Sequence, residues 1–193
     1  MRRLYLVRHA RPTASWAEEA DPGLDPTGIG QARATARQLA DTLTRLPLLT
    51  SPLRRCRETA TPLEELWQRP ASLMTTVAEI PSPPVDLTTR HAWLAAAMRG
   101  TWRELHEAAP AGSVDYLQWR SGVIDALVSM SRDSVIYTHF IAINVAVGAA
   151  NDSDAVLCFR PDHASVTVLS TNGRRLRVVE LGRQAETSVL ARQ

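Results

Sequence analysis

The sequence predicts an α/β fold, a three-layer α/β/α sandwich around a mostly parallel central sheet with an antiparallel edge. Short apolar segments alternate with longer segments of helical period along most of the chain, which is typical of parallel sheets covered by helices. Near the C-terminus, Asn172-Gly173 separates two alternating segments, a pattern that predicts a hairpin and therefore an antiparallel pair.

The first predicted strand and helix occupy the N-terminal quarter. Residues 4–7 form a short apolar strand, and a helix opens at residues 25–28, where Asp25 or Thr27 supplies the cap and Pro26 suits the first turn. Apolar residues then recur at helical spacing, at Ile29, Ala32, Ala36, Leu39, Leu43 and Leu46.

A second strand and helix follow. Residues 48–50 form the strand, and Ser51-Pro52 opens a helix that Pro62 either kinks or restarts. Its predicted apolar side consists of Cys56, Thr59, Ala60, Leu63 and Leu66. Residues 73–77 are a third strand candidate, and the prolines of residues 81–84 exclude a central strand there.

The second half of the chain supplies the remaining elements. We expect mainly helix over residues 86–132, a strand at 135–138 and a buried helix over 141–150. The predicted hairpin pairs residues 165–169 with 176–179. We expect one domain over residues 1–181 and a frayed tail over 182–193.

Composition excludes several classes of function. All 22 basic residues are arginine, so Schiff-base, P-loop and general-base lysines are absent. The formal charge of +2 is too small to indicate nucleic-acid binding. Cys56 and Cys158 match no disulfide framework or metal spacing, which favours two buried thiols in a reducing compartment.

No apolar segment has the length of a membrane helix, and no signal peptide is recognisable at the N-terminus. We therefore expect a cytoplasmic protein that does not bind membranes.

Basic residues and histidines follow three predicted strands. Arg8-His9 comes after the first, Ser51 to Arg55 after the second and His139 after the fourth. Because the ends of parallel strands face one crevice, these groups should meet there. Guanidinium forks bind phosphoryl oxygens and an imidazole can attack phosphorus, so the set suits a phosphoryl group. Core histidines at strand ends are the alternative interpretation.

The motifs around these residues resemble those of the histidine phosphatase superfamily, which has the phosphoglycerate-mutase-like fold. Its Arg-His-Gly hallmark corresponds to Arg8-His9-Ala10, and its late histidine corresponds to His139. Further matches are Leu24, Gly28, Gln31 and Ala32 in the first helix, Ser51, Leu53, Arg55, Thr59 and Ala60 after the second strand, and residues 163–167 near the end.

Three positions depart from the family pattern. Ala10 replaces the usual glycine, as in the bacterial phosphohistidine-phosphatase branch, and Cys56 replaces an alanine. Phe140 stands where glycine often follows the late histidine. Ala10 and Phe140 narrow the pocket, so they weaken inference about the substrate more than inference about activity.

The resemblance implies a role for five residues. His9 is the expected nucleophile, Arg8 and Arg55 clamp the phosphoryl oxygens, and His139 contacts the phosphoryl group as an imidazolium. Glu79 lies where phosphatase branches carry the acid that protonates the leaving group, although a surface glutamate is the alternative.

Further candidates lie around this centre. Arg11 either contacts substrate beyond the phosphate or is an exposed loop arginine, and His163 and Ser165 are candidates for the rim, with Ser165 donating through its backbone. Three tryptophans in the predicted helical region could form an apolar lid over the pocket, and packing in the core explains their presence equally well. They are Trp93, Trp102 and Trp119.

We therefore expect a metal-independent phosphatase without cofactor, acting on a small phosphomonoester or on a phosphohistidine in a protein. A pseudoenzyme that binds phosphate without turnover is the alternative, since a proline-rich segment replaces the family's continuation after Glu79. A phosphoglycerate mutase is disfavoured because the Glu-Arg-His-Tyr-Gly type stretch of mutases is absent. A zinc or thiol enzyme has almost no support, and the oligomeric state stays open.

Overall fold

The computed structural model describes residues 1–14, 19 and 21–185. Its sheet has six strands: β1 (Arg2–Arg8), β2 (Leu48–Thr50), β3 (Ser72–Leu73), β4 (Ser134–Thr138), β5 (Val166–Thr171) and β6 (Leu176–Glu180). The helices are α1 (Pro26–Thr42), α2 (Arg54–Trp67), α3 (Leu87–Ala97), α4 (Trp102–Glu107), α5 (Tyr116–Val128) and α6 (Phe140–Ala150), and a 3₁₀ turn covers Thr75–Val77.

The strand order is β3-β2-β4-β1-β5-β6. The first four strands in this order are parallel, whereas β5 runs antiparallel to β1 and β6 antiparallel to β5. The predicted α/β fold with an antiparallel edge is therefore confirmed. Since β1, β2 and β4 are adjacent and parallel, their carboxyl ends lie at one edge of the sheet.

Side chains of the central strands alternate between two cores. Leu6 and Ile136 pack into the core that includes α4, α5 and α6, while Val7 and Tyr137 pack into the core formed with α1 and α2. This period of two places helices on both faces of the sheet and leaves the strand ends free for polar residues.

The N-terminus of α1 fixes one wall of the strand-end crevice. Asp25 caps the helix by accepting the Gly28 backbone N–H at 2.6 Å, so the cap is Asp25 rather than Thr27. A Cβ at Gly28 would lie 2.1 Å from the carbonyl oxygen of Arg11, which explains the glycine. Ile29, predicted on the apolar side, is 42% exposed.

Helix α2 continues through Pro62 without interruption. Cys56, Thr59, Ala60 and Leu63 are buried as predicted, but Leu66 is 49% exposed. Trp67 is buried in its place, because it packs with Leu63 in the core between α2 and the sheet.

The prediction of a strand over residues 73–77 is wrong in extent. Strand β3 contains only Ser72 and Leu73, and the Met74 N–H makes the last bond to β2, at the carbonyl of Thr50. The chain then turns, and the Val77 carbonyl accepts the Thr138 hydroxyl at 2.6 Å. This turn carries Glu79 toward the ends of the neighbouring strands.

The C-terminal hairpin is confirmed. Gly173 adopts φ +84° in the turn between β5 and β6, and the Asn172 side chain accepts two backbone N–H groups there. The sequence predicts a tail that frays from residue 182, but residues 183–185 pair with the segment 160–162, and the Gly182 N–H donates to the Thr167 hydroxyl. Residues 186–193 of that predicted tail lie outside the described part of the chain.

Within residues 1–14, 19 and 21–185, no helix combines the length and apolar character required to cross a membrane.

Candidate active site

Backbone hydrogen bonds join the predicted strand ends into one site. The His9 N–H donates to the carbonyl of Thr138 at 2.9 Å, and the Ser51 N–H donates to the carbonyl of Tyr137 at 2.9 Å. The segments that leave β1 and β2 are thus fixed to the end of β4, between them in the sheet. The three motifs meet as the sequence predicts.

His9 is held in the tautomer that leaves Nε2 without a proton. Its buried ring donates from Nδ1 to the carbonyl of Ala10 at 2.9 Å, since a carbonyl oxygen can only accept. Ala10 is itself fixed by its N–H, which donates to the Thr59 hydroxyl at 3.0 Å. The lone pair on Nε2 is therefore available to attack an electrophile.

The surroundings of His9 disfavour its cationic form. Burial lowers its pKa well below the usual value, and the neighbouring His139, Arg8 and Arg55 lower it further. The hydrogen bond to Ala10 opposes this shift but does not reverse it. His9 is therefore a neutral imidazole near neutral pH.

Arg55, His139 and Ser51 form a buried chain of hydrogen bonds. Arg55 Nη2 donates to His139 Nδ1 at 3.2 Å, and His139 Nε2 is 2.8 Å from the Ser51 hydroxyl oxygen. Because guanidinium only donates, Nδ1 must accept and the single proton of His139 lies on Nε2.

The expected imidazolium at His139 is therefore wrong for this geometry. Burial lowers the pKa of His139 well below its usual value, and Arg55 and Arg8 add to the effect. His139 holds the guanidinium of Arg55 in place. Arg55 Nη1 is buried, and within the described part of the chain it makes no hydrogen bond, although Asp21 lies 3.7 Å away.

Arg8 is oriented by the segment before β5. Its Nη1 donates to the carbonyl of Pro161 at 2.8 Å and its Nη2 donates to Nε2 of His163 at 3.1 Å. Its guanidinium also lies 5.0 Å from the ring centre of Phe140. Burial lowers the pKa of Arg8 to about 10, so the side chain stays cationic at neutral pH.

Glu79 lies at the N-terminus of α6. Its carboxylate accepts the backbone N–H of Ile80 at 3.0 Å and that of Ile141 at 3.3 Å. Burial raises the pKa of Glu79 above its usual value, and this effect exceeds the opposing hydrogen bonds and the attraction of Arg55 and Arg8. A carboxyl group with a raised pKa can carry a proton to a leaving group.

These groups line a cavity of about 660 Å³. Its polar walls contain Arg8, His9, Arg11, Thr13, Asp25, Arg55, Glu79, Arg160 and His163. Its apolar walls contain Pro12, Ala14, Pro22, Leu94, Met98, Phe140 and Ile141. The cavity therefore extends well beyond the space that a phosphoryl group needs.

The three outer candidates have different positions. Arg11 lines the cavity in an ion pair with Asp25 at 2.6 Å, and His163 lines it beside Arg8. The structure does not bring Ser165 to the described walls. Its N–H donates to the carbonyl of Asp162, and its carbonyl accepts the Arg8 N–H. Ser165 therefore positions the backbone of Arg8 through this hydrogen bond.

Sequence reasoning missed part of the cavity wall. Leu94, Met98 and Arg160 carry no motif, and they reach the site through the packing of distant segments. The tryptophans proposed as a lid pack in or against the main core instead, where Trp102 is buried and stacks near Trp119.

Cys56 lies behind the site, where its Sγ is 3.3 Å from His139 Nε2. Burial raises the pKa of this thiol, so it is a packing group rather than a nucleophile. Within the described ranges, no group of three or more His, Cys, Asp or Glu side chains could hold a metal ion.

The chain matches one known family over most of its length. The family model of the histidine phosphatase superfamily (branch 1) matches residues 4–184. The chain belongs to this family. A comparison with curated proteins finds no significant match.

Solved histidine phosphatases share this fold. A mycobacterial glucosyl-3-phosphoglycerate phosphatase bound to inorganic phosphate is 26% identical, with a TM-score of 0.72 and coverage of 97% of this chain and 100% of that one. A phosphoserine phosphatase from Entamoeba histolytica is 16% identical, with a TM-score of 0.74 and coverage of 95% and 98%.

A putative alpha-ribazole-5'-P phosphatase from Escherichia coli is 18% identical, with a TM-score of 0.74 and coverage of 95% and 97%. The last two structures show the fold alone. All three of these structural relatives are described as phosphatases.

Proposed function

We propose that this protein is a metal-independent phosphatase that hydrolyses a small phosphomonoester through a phosphohistidine on His9. The observation that carries this proposal is the juxtaposition of an unprotonated His9 Nε2 with Arg8 and Arg55. Two buried guanidinium nitrogens, Arg8 Nε and Arg55 Nη1, have no hydrogen-bond partner in the described part of the chain. Phosphoryl oxygens would satisfy both.

In the first half-reaction, His9 Nε2 attacks phosphorus in line with the leaving oxygen. The N–P bond forms as the P–O bond to the leaving group breaks, and protonated Glu79 gives its proton to the departing oxygen. Arg8 and Arg55 stabilise the charge on the equatorial oxygens. The products are the free alcohol, a phosphohistidine and the Glu79 carboxylate.

In the second half-reaction, water attacks the phosphohistidine. The Glu79 carboxylate takes a proton from this water. The water oxygen bonds to phosphorus as the N–P bond breaks. Inorganic phosphate leaves, and neutral His9 and protonated Glu79 are restored. Glu79 therefore gives one proton in the first half-reaction and regains one in the second, so protons and charge balance over the cycle.

The experiment that tests this function is p-nitrophenyl phosphate hydrolysis in excess chelator. Wild type should turn over, and His9→Ala should lower kcat by about 10³-fold or more, because it removes the covalent route. The phosphorylated intermediate should be trapped by rapid acid-free quenching in wild type and be absent in His9→Ala. Phosphate binding without turnover in wild type would instead indicate the pseudoenzyme.

The role of Glu79 is tested by comparing leaving groups. Glu79→Gln should lose far more kcat/KM on an alkyl phosphate than on p-nitrophenyl phosphate, since nitrophenolate leaves without a proton and kcat/KM reports the first half-reaction. Equal losses of kcat/KM on both substrates would assign proton donation to the leaving group to another residue.

A further inference from the structure

We propose that the leaving group of the natural substrate is apolar, so that the substrate is an alkyl or aryl phosphate. This inference rests on the proposed function and names the substrate class of the same site. It follows from an apolar wall formed by Leu94, Met98, Phe140 and Ile141, which lies beside the phosphoryl site.

Two helices build this wall. Leu94 lies in the last turn of α3 and Met98 directly follows the helix, one turn after Leu94; both are partly buried where they line the cavity. Phe140 and Ile141 begin α6 directly after His139. The wall is therefore continuous with the strand end that carries the catalytic groups.

The position of Glu79 places the leaving group against this wall. Glu79 accepts the backbone N–H of Ile141 at 3.3 Å, so the proposed proton donor adjoins the first turn of α6. The Phe140 ring lies 5.0 Å from the Arg8 guanidinium, on the phosphoryl side. A leaving oxygen that receives its proton from Glu79 therefore has Phe140 and Ile141 as neighbours.

Most charged groups that the described residues bring to the cavity are already engaged. Arg8 and Arg55 belong to the phosphoryl site, and Arg11 is paired with Asp25 at 2.6 Å. Arg160 is exposed and lines the cavity from the segment before β5. Arg90 also interacts electrostatically with Arg55 and Glu79. An acidic leaving group would depend on Arg160 and Arg90, which makes a carboxylate-bearing substrate the sharpest competitor.

The test compares kcat/KM for three phosphomonoesters: ethyl phosphate, n-hexyl phosphate and 3-phosphoglycerate. The two alkyl phosphates have similar leaving-group acidity, so their ratio isolates apolar contact. Hexyl phosphate should exceed ethyl phosphate by about tenfold or more, and it should also exceed 3-phosphoglycerate. A hexyl-to-ethyl ratio near one, or a preference for 3-phosphoglycerate, would overturn the inference.

Variants connect the preference to the wall. Met98→Gln, which keeps the side-chain length, should lower the hexyl-to-ethyl ratio by about threefold to tenfold. Leu94→Gln should act in the same direction, so the test does not depend on one variant folding. Leu66→Gln, on the exposed face of α2, is the matched control and should leave the ratio unchanged.

The two proposals fail separately. Loss of the hexyl preference while p-nitrophenyl phosphate turnover still requires His9 would overturn only the substrate class. Absence of any His9-dependent turnover would overturn the proposed function. An unchanged ratio in both Met98→Gln and Leu94→Gln, with thermal unfolding like that of wild type, would show that the wall does not select the substrate.

Discussion

Arg8 reaches the phosphoryl site with part of its guanidinium already engaged. Nη2 donates to His163 and Nη1 to the carbonyl of Pro161, while Nε has no partner in the described chain. Burial and the cation of Arg8 lower the pKa of His163 to about 4, so the ring is neutral and can accept this bond. His163 is therefore a positioning residue for Arg8.

We expect His163→Ala to weaken phosphate binding by roughly tenfold to a hundredfold, the loss of a hydrogen bond to a charged group. His163→Gln should restore most of the affinity, since its amide oxygen can accept from Arg8. The measurement is the inhibition constant of inorganic phosphate against p-nitrophenyl phosphate. A failure of His163→Gln to restore binding, with the fold intact, would contradict the positioning role.

At the scale of elements, helix α1 is packed tightly against the segment that follows the His9 motif. Gly28 makes this approach possible, since a Cβ there would meet the Arg11 carbonyl oxygen at 2.1 Å. Asp25, which caps the same helix, also pairs with Arg11. A shift of this helix end would therefore move one wall of the cavity.

We expect Gly28→Ala to destabilise the protein by about 1–3 kcal/mol through overpacking. Gly30→Ala, two residues along the same helix, has nothing within 4 Å of its added methyl and should stabilise by about 0.5–1 kcal/mol. Urea unfolding of both variants measures the difference. Equal free energies of unfolding for Gly28→Ala and Gly30→Ala would show that the N-terminus of α1 can move away from Arg11 without destabilising the protein.

At the scale of the whole molecule, the site makes stability depend on pH. His9, His139 and His163 all have lowered pKa values in the folded protein, whereas an unfolded imidazole titrates near 6.5. Below that pH the unfolded chain binds more protons, so the free energy of unfolding falls as pH decreases. The raised pKa of Glu79 has the opposite effect: this carboxyl group contributes stability at low pH, and that contribution is lost as the pH rises through its pKa in the folded protein.

We expect the melting temperature to fall between about pH 7 and about pH 5, with His163→Gln showing a shallower slope because one of these histidines is gone. His163 contributes over the interval from 6.5 down to about 4. Calorimetric melting of both proteins across this range gives the slopes. Identical slopes would mean that His163 is not held neutral by the fold.

Local patterns predicted most of the architecture, and their errors have physical causes. The strand ends, a helix cap at Asp25 or Thr27 and the Asn172-Gly173 turn depend on neighbouring residues, so the sequence predicts them, and the structure selects Asp25 as the cap. Leu66 fitted the helical period, yet Trp67 is the buried residue, because the packing of α2 on the sheet decides which side is covered.

Sequence patterns alone predict that Arg8, His9, Arg55 and His139 lie together at one edge of a parallel sheet. The proton position on His139 and the partner of Arg8 depend on contacts between distant residues, because Arg55 is 84 residues from His139 and His163 is 155 residues from Arg8. The tertiary structure also brings Leu94 and Met98 to the cavity. Protonation and wall composition depend on contacts between distant segments, whereas the positions of strands and helices along the chain follow from local periodicity.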